Sequence, residues 1–143
     1  LERSMKTLSV RFFTQQNNAM KLSQILQENK NIDRVYYPGL TGHENHDLAK
    51  KQMDGFGAVI SFELNKKFNP KLFLKSLKMI SPTMSFAGVE STMLSPAETS
   101  HYLLSKEDRI NQGIVDNLIR FSVGIEDIED IYHDIEQAFN NCK

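Results

Sequence analysis

The sequence has one cysteine and no tryptophan, and neither sign of charge is in excess. Cys142 has no disulfide partner within the chain, so a disulfide-rich scaffold is excluded and a reducing compartment is expected. The 17 basic residues are balanced by 18 acidic ones, so the chain has no broad positive field to attract nucleic acid or an anionic membrane. We therefore expect no nucleic-acid partner.

Long apolar runs and targeting signals are also absent. No apolar run approaches the roughly 20 residues that a membrane-spanning helix needs, and the N-terminal stretch LERSMKTLSVRFF lacks the small-residue cleavage site of a signal peptide. These absences predict a soluble, cytoplasmic protein with no membrane partner. A length of 143 residues suits a single domain, residues 1–143, with a core of its own.

The first 30 residues favour helix from the first position, although no Ser, Thr, Asp or Asn cap precedes them. Their apolar positions form an imperfect helical stripe that is interrupted by TQQNN at 14–18. A helix of about 28 residues is about 42 Å long, which is more than a compact domain of this size covers alone. We therefore expect residues 1–30 to form a long helix that links this chain, as a piece of a longer protein, to a segment outside it.

Strand alternation, helix caps and breakers predict the remaining elements. Strands are predicted at 34–37, 58–64, 84–92 and 118–125, and helices at 43–53, 69–80, 106–114 and 126–139. Short strands separated by polar-faced helices predict an α/β fold of α+β character, in which a small, antiparallel-rich sheet is covered by helices on one face.

The last predicted helix starts with a cluster of acidic residues, Glu126, Asp127, Glu129 and Asp130. These carboxylates complement the positive end of the helix dipole. A solvated helix start therefore explains the cluster better than an acidic binding site.

One charged residue interrupts the strand predicted at 118–125. Alternation places Arg120 on the face opposite the apolar side chains of Ile119 and Phe121. A guanidinium is always charged and is costly to bury unless an anion or good acceptors meet it. Two partners are open, an internal acid such as Glu90 or an anionic group of a ligand.

Six segments resemble a known family, in order and at matching separations: RSMKTL (3–8), VYYPGL (35–40), HENHDLAKKQMDGFGAVISFEL (43–64), SFAGVES (85–91), SPAETSH (95–101) and GIVDNLIRFSVGIEDIEDI (113–131). Together they resemble the C-terminal part of the pyridoxal-phosphate enzymes of cysteine and methionine metabolism, the cystathionine β-lyase, γ-lyase and γ-synthase group. The resemblance implies a fold type I subunit in which a large domain holds pyridoxal 5'-phosphate on a lysine and this chain is the small domain that closes the active site. It also implies a homotetramer of paired dimers.

The cofactor lysine of that family precedes the segment matched by RSMKTL, and nothing in this chain matches its motif. The resemblance therefore implies that this chain has no catalytic and no cofactor-binding residue. It also implies that the chain is inactive by itself.

The resemblance assigns substrate binding to three residues. Arg120 matches the arginine of the family's LIRxSVG strand, which binds the substrate α-carboxylate. Ser85 matches the serine of SLGG beside that carboxylate, and the backbone N–H of Phe86 is a further expected donor. SFAG departs from SLGG at two positions. Ala87 is expected to be harmless, whereas Phe86 is expected to alter the pocket volume.

Met84 and Ser100 are expected to affect the choice of substrate. Several γ-synthases and γ-lyases of the family carry a glutamate at the position of Met84, where it meets the distal amino group of cystathionine or assists at the γ-carbon. Methionine supplies neither charge nor base. This difference favours a β-lyase, or an enzyme that uses substrates without a distal amine, such as O-acylhomoserine or methionine. Ser100 with His101 matches a Thr-His pair close to the pocket, so a secondary contact is expected.

The spacing of His43 and His46 suggests metal ligands, but no third ligand accompanies them and no metal is expected. We therefore expect a pyridoxal-phosphate-dependent carbon–sulfur lyase of the cystathionine β-lyase type, acting on cystathionine or an O-acylhomoserine. The alternatives within the family are cystathionine γ-synthase, cystathionine γ-lyase and O-acylhomoserine sulfhydrylase. An alternative from another class is a free-standing α/β module in which Arg120 holds a free amino acid.

Overall fold

The computed structural model describes residues 2–142. Its helices are α1 (Glu2–Met5), α2 (Leu8–Glu28), α3 (His46–Gln52), α4 (Pro70–Ser76), α5 (Lys106–Asn111) and α6 (Ile128–Asn141). Its strands are β1 (Ile32–Tyr36), β2 (Val59–Leu64), β3 (Ser81–Pro82), β4 (Thr92–Leu94) and β5 (Leu118–Ser122), and a 3₁₀ turn (Pro96–Glu98) follows β4.

The strands form one sheet in the order β1-β2-β5-β4-β3. Neighbouring strands are antiparallel, except for the short parallel pair of β3 and β4. β5 lies in the centre of the sheet, where Arg120 is opposite Ser61 of β2 and Leu94 of β4. The predicted α/β fold with an antiparallel-rich sheet is confirmed.

One face of the sheet packs against helices. Phe62 of β2 and Ile119 of β5 lie opposite each other on this face, and both are fully buried. Three helices contribute apolar side chains to the same cluster, α2 (Ala19, Leu22, Leu26), α4 (Phe73, Leu74) and α6 (Ile131, Ile135, Ala138, Phe139). Because full burial of one large apolar side chain is worth about 1.5–3 kcal/mol, this layer is the main source of stability and holds β5 in place.

The apolar face of α6 includes one buried carboxylate. Asp134 is 5% exposed and accepts hydrogen bonds from the backbone N–H groups of Lys78, Met79 and Ile80, at 2.9, 2.9 and 2.8 Å. These residues follow α4, which ends at Ser76 although its pattern predicted helix as far as residue 80. Because Asp134 accepts from the three N–H groups, the chain leaves the helix without unpaired donors.

The strand predicted at 84–92 is wrong. Only Thr92–Leu94 forms β4, and the preceding residues form an irregular loop. Ala87 has a φ of +61°, which is incompatible with extended backbone. Its N–H donates to the side chain of Ser122 at 3.3 Å instead of joining a ladder of strand hydrogen bonds.

The N-terminal segment is a broken helix, not the continuous one that was predicted. Thr7, between α1 and α2, has φ −111° and ψ 5°. Its hydroxyl accepts a hydrogen bond from Arg11 Nε at 3.2 Å and donates to the carbonyl of Ser4 at 3.4 Å, an alternative to the helical pattern. The TQQNN segment, by contrast, is helical throughout. Within residues 2–142 no helix is both long and apolar enough to cross a membrane.

Candidate functional site

Arg120 is the residue of β5 that reaches solvent. The other four residues of the strand are buried, whereas Arg120 is partly exposed. Its neighbours across the sheet are Ser61 and Leu94, so its side chain lies on the face opposite the helix layer. The central strand therefore holds a cation in a fixed place on the face that the apolar core leaves free.

The guanidinium of Arg120 meets a loop but no acid. Nη2 donates to the carbonyl of Ser85 at 3.1 Å, and Cζ lies 5.3 Å from the ring centroid of Phe86. Among residues 2–142, Arg120 forms no ion pair, and Glu90 is exposed. The internal ion pair with Glu90 that the sequence left open is therefore not present.

One donor of this guanidinium lacks an acceptor. Within the described part of the chain, Arg120 Nε is buried and has no hydrogen-bond partner. A buried polar group without a partner typically costs about 1–3 kcal/mol, and more when it is charged. Nε and Nη2 share one edge of the planar guanidinium, and such an edge donates two parallel hydrogen bonds to a carboxylate. A carboxylate is therefore complementary in shape and charge to this edge of Arg120.

The site loop, defined here as residues 83–91, presents its backbone to Arg120. The carbonyl of Ser85 accepts from Arg120 and also from the hydroxyl of Thr92 at 2.8 Å. The hydroxyl of Ser85 makes no hydrogen bond with any residue between 2 and 142, so it is free to meet a ligand. Ser85 and Arg120 are thus brought together through the backbone carbonyl of Ser85, and a contact between the Ser85 hydroxyl and a substrate stays a prediction.

Phe86 lies beside Arg120 but projects into solvent. Its side chain is 66% exposed, and the cation rests over the face of its ring. The next residue, Ala87, is in the left-handed region at φ +61°, which favours glycine. The Cβ of alanine therefore makes this conformation costly, a cost that the sequence did not predict, and the expectation that alanine is harmless to the pocket stays a prediction.

Met84 lines a cleft next to the part of the sheet that contains Arg120. The cleft has a volume of about 350 Å³, and Leu94, the cross-strand neighbour of Arg120, also lines it. Ser95 lines it too and is 1% exposed, with an Oγ that has no partner in residues 2–142. Glu98 supplies a carboxylate to the same cleft. The structure therefore places an acid near Met84 that sequence reasoning did not consider.

Ser100 is not joined to this group of residues. It is exposed, and its Oγ lies 2.8 Å from Nδ1 of His101. Within the described residues no hydrogen bond links Ser100 to Arg120, to Met84 or to the site loop. A contact between Ser100 and a substrate stays a prediction.

Sequence reasoning missed two polar residues of α2, of which Gln15 holds the site loop and Asn18 holds the connection between β5 and α6. Gln15 is 3% exposed, and its side-chain amide donates to the carbonyl of Gly88 at 2.5 Å. Asn18 donates to the carbonyl of Glu126 at 2.9 Å. Both belong to TQQNN, and this polar interruption of an apolar stripe was the available signal, because buried polar side chains are almost always hydrogen-bonded.

Two tyrosines of β1 and the following turn remain neutral near physiological pH. Burial raises the pKa of the Tyr36 hydroxyl, and a hydrogen bond to Glu63 raises it further. Burial raises the pKa of Tyr37 to about 12. Tyr36 is opposite Ser61, and Ser61 is opposite Arg120 on the next strand, so the three residues lie side by side across the sheet. Because Tyr36 is neutral, it is not an anionic partner for the guanidinium of Arg120.

The Nδ1 atoms of His43 and His46 both contact nearby backbone groups. Nδ1 of His43 accepts from the N–H of Asn45 at 3.2 Å, and Nδ1 of His46 lies 2.8 Å from the carbonyl of Pro38. The ring of His46 also stacks on Phe56, with 5.4 Å between centroids. Between residues 2 and 142 no three His, Cys, Asp or Glu side chains are grouped as ligands of a metal ion.

The lysines of the described chain are all exposed. A lysine that holds a carbonyl cofactor is activated by desolvation or by a neighbouring cation. None of these lysines has such an enclosed setting. The described residues therefore fit the binding of an anionic ligand at Arg120 but not the attachment of a cofactor.

The chain is similar to known enzymes over almost its whole length. Residues 1–140 match the family model described as "Cys/Met metabolism PLP-dependent enzyme". Cystathionine gamma-synthase 1, chloroplastic, of Arabidopsis thaliana is 45% identical over 137 residues, which cover 95% of this chain and 24% of that protein. Cystathionine beta-lyase of Lactococcus lactis subsp. cremoris (strain MG1363) is 44% identical over 138 residues, which cover 96% of this chain and 36% of that protein.

Solved structures share the same fold. Cystathionine gamma-lyase from Lactobacillus plantarum, complexed with L-serine, superposes with a TM-score of 0.93 and 38% sequence identity. The superposition covers 98% of this chain and 37% of that one. The chain thus spans only about a quarter to two fifths of the length of the proteins that it matches.

Proposed function

The chain belongs to the Cys/Met metabolism family of PLP-dependent enzymes, and we propose that it forms the part of such an enzyme that binds the α-carboxylate of a sulfur amino-acid substrate. Arg120 is the principal ligand in this proposal, and Ser85 and the backbone N–H of Phe86 are additional donors. The observation that carries the proposal is the buried Nε of Arg120, which has no acceptor among residues 2–142. The L-serine in the similar Lactobacillus plantarum structure supports it, because L-serine carries an α-carboxylate.

Arg120 and the family's cofactor, pyridoxal phosphate, have different roles in this proposal. When bound, this cofactor acts as an electron sink for bond cleavage in amino acids. Arg120 grips the carboxylate through two hydrogen bonds and so fixes the orientation of the amino acid. The cofactor itself is held by residues outside this chain, because every described lysine is exposed.

We propose that residues 1–143 are the C-terminal domain of the complete enzyme and that residues 1–30 connect them to the cofactor domain. The short span of the chain relative to its relatives supports this arrangement. The chain alone is then inactive, and the complete enzyme is a homotetramer. A cytoplasmic location stays a prediction, and the matching Arabidopsis thaliana enzyme is chloroplastic by name.

The proposed reaction is carbon–sulfur cleavage of the cystathionine β-lyase type. Met84 supports it, because methionine brings neither charge nor base to the cleft that it lines. The second candidate is a γ-synthase or γ-lyase reaction. Glu98 favours this candidate, because its carboxylate lines the cleft of Met84 and can replace the glutamate that several γ-synthases and γ-lyases carry at the position of Met84.

The reaction is tested on the full-length enzyme with cystathionine, O-acetylhomoserine, O-succinylhomoserine and methionine as substrates. Pyruvate from cystathionine supports the β-lyase reaction, and 2-oxobutyrate supports the γ-reactions. Glu98→Gln separates the two substrate classes. If Glu98 binds a distal ammonium, KM rises for cystathionine and stays unchanged for O-acetylhomoserine.

The carboxylate role is tested by Arg120→Lys and Arg120→Ala in the same enzyme. A hydrogen bond to a charged group is typically worth about 1.5–3 kcal/mol, so the loss of one or two lowers kcat/KM by roughly ten- to several-thousand-fold. Lysine keeps the positive charge but lacks the two parallel N–H donors of the guanidinium, so Arg120→Lys is the milder change. Arg34→Ala is the matched control, because Arg34 is an exposed cation of the edge strand β1. Near-normal kcat/KM of Arg120→Ala for every amino-acid substrate contradicts the proposal.

The free-standing amino-acid-binding module makes a different prediction for the same variants. In that case the chain by itself binds free amino acids, and Arg120→Ala abolishes this binding. Isothermal titration of the chain with L-serine and L-methionine distinguishes the module from the enzyme domain.

A further inference from the structure

The far end of the site loop is anchored by a carboxylate. Ser91 is fully buried, and its backbone N–H donates to Oε1 of Glu126 at 2.6 Å. The hydroxyl of Ser91 donates to Oε2 of Glu126 at 3.0 Å and accepts from the N–H of Gly124 at 2.9 Å. Both carboxylate oxygens therefore bind the same residue of the loop. Hydrogen bonds to an ionised acceptor are roughly twice as strong as neutral ones.

The backbone of this anchored end lies against the connection between β5 and α6. The carbonyl of Val89 accepts from the N–H of Ile125 at 3.0 Å. A Cβ on Gly124 would lie 2.5 Å from the carbonyl oxygen of Val89 and 2.6 Å from the N of Ser91, so only glycine permits this approach. The position of the loop end is thus tied directly to the end of the strand that bears Arg120.

The front of the site loop is exposed and is held by contacts of its own, among them the N–H of Ala87, which donates to the side chain of Ser122 at 3.3 Å. Residues 83–87 are all exposed. The carbonyl of Ser85 is held by Arg120 and Thr92, and the ring of Phe86 lies against the guanidinium. Ser85 and Phe86 lie six and five residues before Ser91, the point at which Glu126 anchors the loop, so their place depends on that anchor as well as on their own contacts.

We propose that Glu126 is a positioning residue for the Arg120 site, acting through Ser91. By holding Ser91, its carboxylate sets the place of Ser85 and Phe86 relative to the guanidinium and so keeps the carboxylate site in its binding geometry. This role deepens the proposed function and rests on it. It also corrects the interpretation of Glu126 as a solvated charge at the start of α6, because that place is taken by Asp127, whose side chain accepts from the N–H of Glu129 at 2.9 Å.

The variants are chosen to remove the anchor in steps in the full-length enzyme. Glu126→Gln keeps the size and one carbonyl oxygen but turns the other oxygen into a donor, whereas Glu126→Ala removes both acceptors. Ser91→Ala removes the hydroxyl and keeps the backbone N–H. Glu129→Ala is the matched control, because it removes the same charge from the same end of α6 and no hydrogen bond joins its side chain to the site loop within residues 2–142.

The decisive measurement is the division of the effect between KM and kcat for an α-amino-acid substrate. Misplacement of binding groups by about 1 Å can cost a hundredfold, so we expect Glu126→Ala to raise KM roughly ten- to a hundredfold with little change in kcat. Glu126→Gln and Ser91→Ala have smaller effects in the same direction, and Glu129→Ala behaves like the unaltered enzyme. The double variant Glu126→Ala with Ser91→Ala is little worse than Glu126→Ala, because both changes remove one contact.

A merely structural role gives a different pattern. It lowers the fraction of folded enzyme, so apparent kcat falls and KM stays the same. That pattern, or an unchanged KM in Glu126→Ala while Arg120→Ala is impaired, overturns this inference and leaves the proposed function standing. An unaffected Arg120→Ala overturns both. If Glu126→Ala does not fold, Ser91→Ala and Glu126→Gln decide by the same KM criterion.

Discussion

Replacement of Ala87 by glycine is expected to stabilise the protein, although glycine usually destabilises. The φ of Ala87 is +61°, in the left-handed region that costs an L-residue about 1–2 kcal/mol. Glycine adopts this region without that cost. The side chain of Ala87 is exposed, so its removal sacrifices no core packing.

The expected magnitude is a difference between two effects. Relief of the left-handed conformation gains about 1–2 kcal/mol, and the greater freedom of glycine in the unfolded chain costs about 0.5–1 kcal/mol. We therefore expect Ala87→Gly to raise the free energy of unfolding by about 0.5–1 kcal/mol. At a typical urea dependence this raises the unfolding midpoint by about 0.3–0.5 M with an unchanged slope.

The assay is equilibrium urea unfolding of the chain, with Ala49→Gly as the matched control. Ala49 lies inside α3, where glycine costs about 1 kcal/mol relative to alanine. The same chemical change is thus expected to have opposite signs at the two positions. If Ala87→Gly destabilises as much as Ala49→Gly does, residue 87 is not in the left-handed region, and the account of the site loop is refuted.

Two further predictions concern stability. Asp134→Ala is expected to lower the free energy of unfolding, measured in urea, by about 2–4 kcal/mol, because three backbone N–H groups lose their acceptor. Asp130→Ala, at an exposed position of the same helix, is the control and is expected to change it little. Equal effects of the two variants contradict the role given to Asp134. Burial raises the pKa of Tyr37 from 10.0 to about 12, so between these pH values the folded state keeps a proton that the unfolded state has lost. The free energy of unfolding is therefore expected to fall as pH rises from about 10 to about 12, and Tyr37→Phe, followed by unfolding at each pH, is expected to show a shallower fall.

Local pattern was sufficient for the elements whose signals are complete within a few residues. Asn69 and Pro70 predicted the start of α4, and the Asn69 side chain indeed accepts from the N–H groups of Lys71 and Leu72. Strict alternation predicted β2, where Ile60, Phe62 and Leu64 are buried. Such signals work because caps and periodic burial depend on neighbours along the chain or on a single apolar face.

The site loop was beyond the reach of the same reasoning. Its residues were predicted to be a strand, because a short apolar run with one glycine satisfies the strand pattern. The loop shape depends instead on Gln15 and Glu126, which are distant from it in the sequence. Nothing in the local sequence marks Gly88 and Ser91 as the residues that these two side chains hold in place.

The sequence by itself determined the family, the fold class and the place of Arg120 on a strand facing away from the core, because these depend on motifs, periodicity and the cost of burying a charge. Only the tertiary structure decided what surrounds Arg120. It brings Ser85 to one edge of the guanidinium, excludes Glu90 as its partner and turns Glu126 from a helix-end charge toward the site loop. The physical reason is that a hydrogen bond depends on distances of about 3 Å between groups far apart in the chain, and only the packed sheet and helices set those distances.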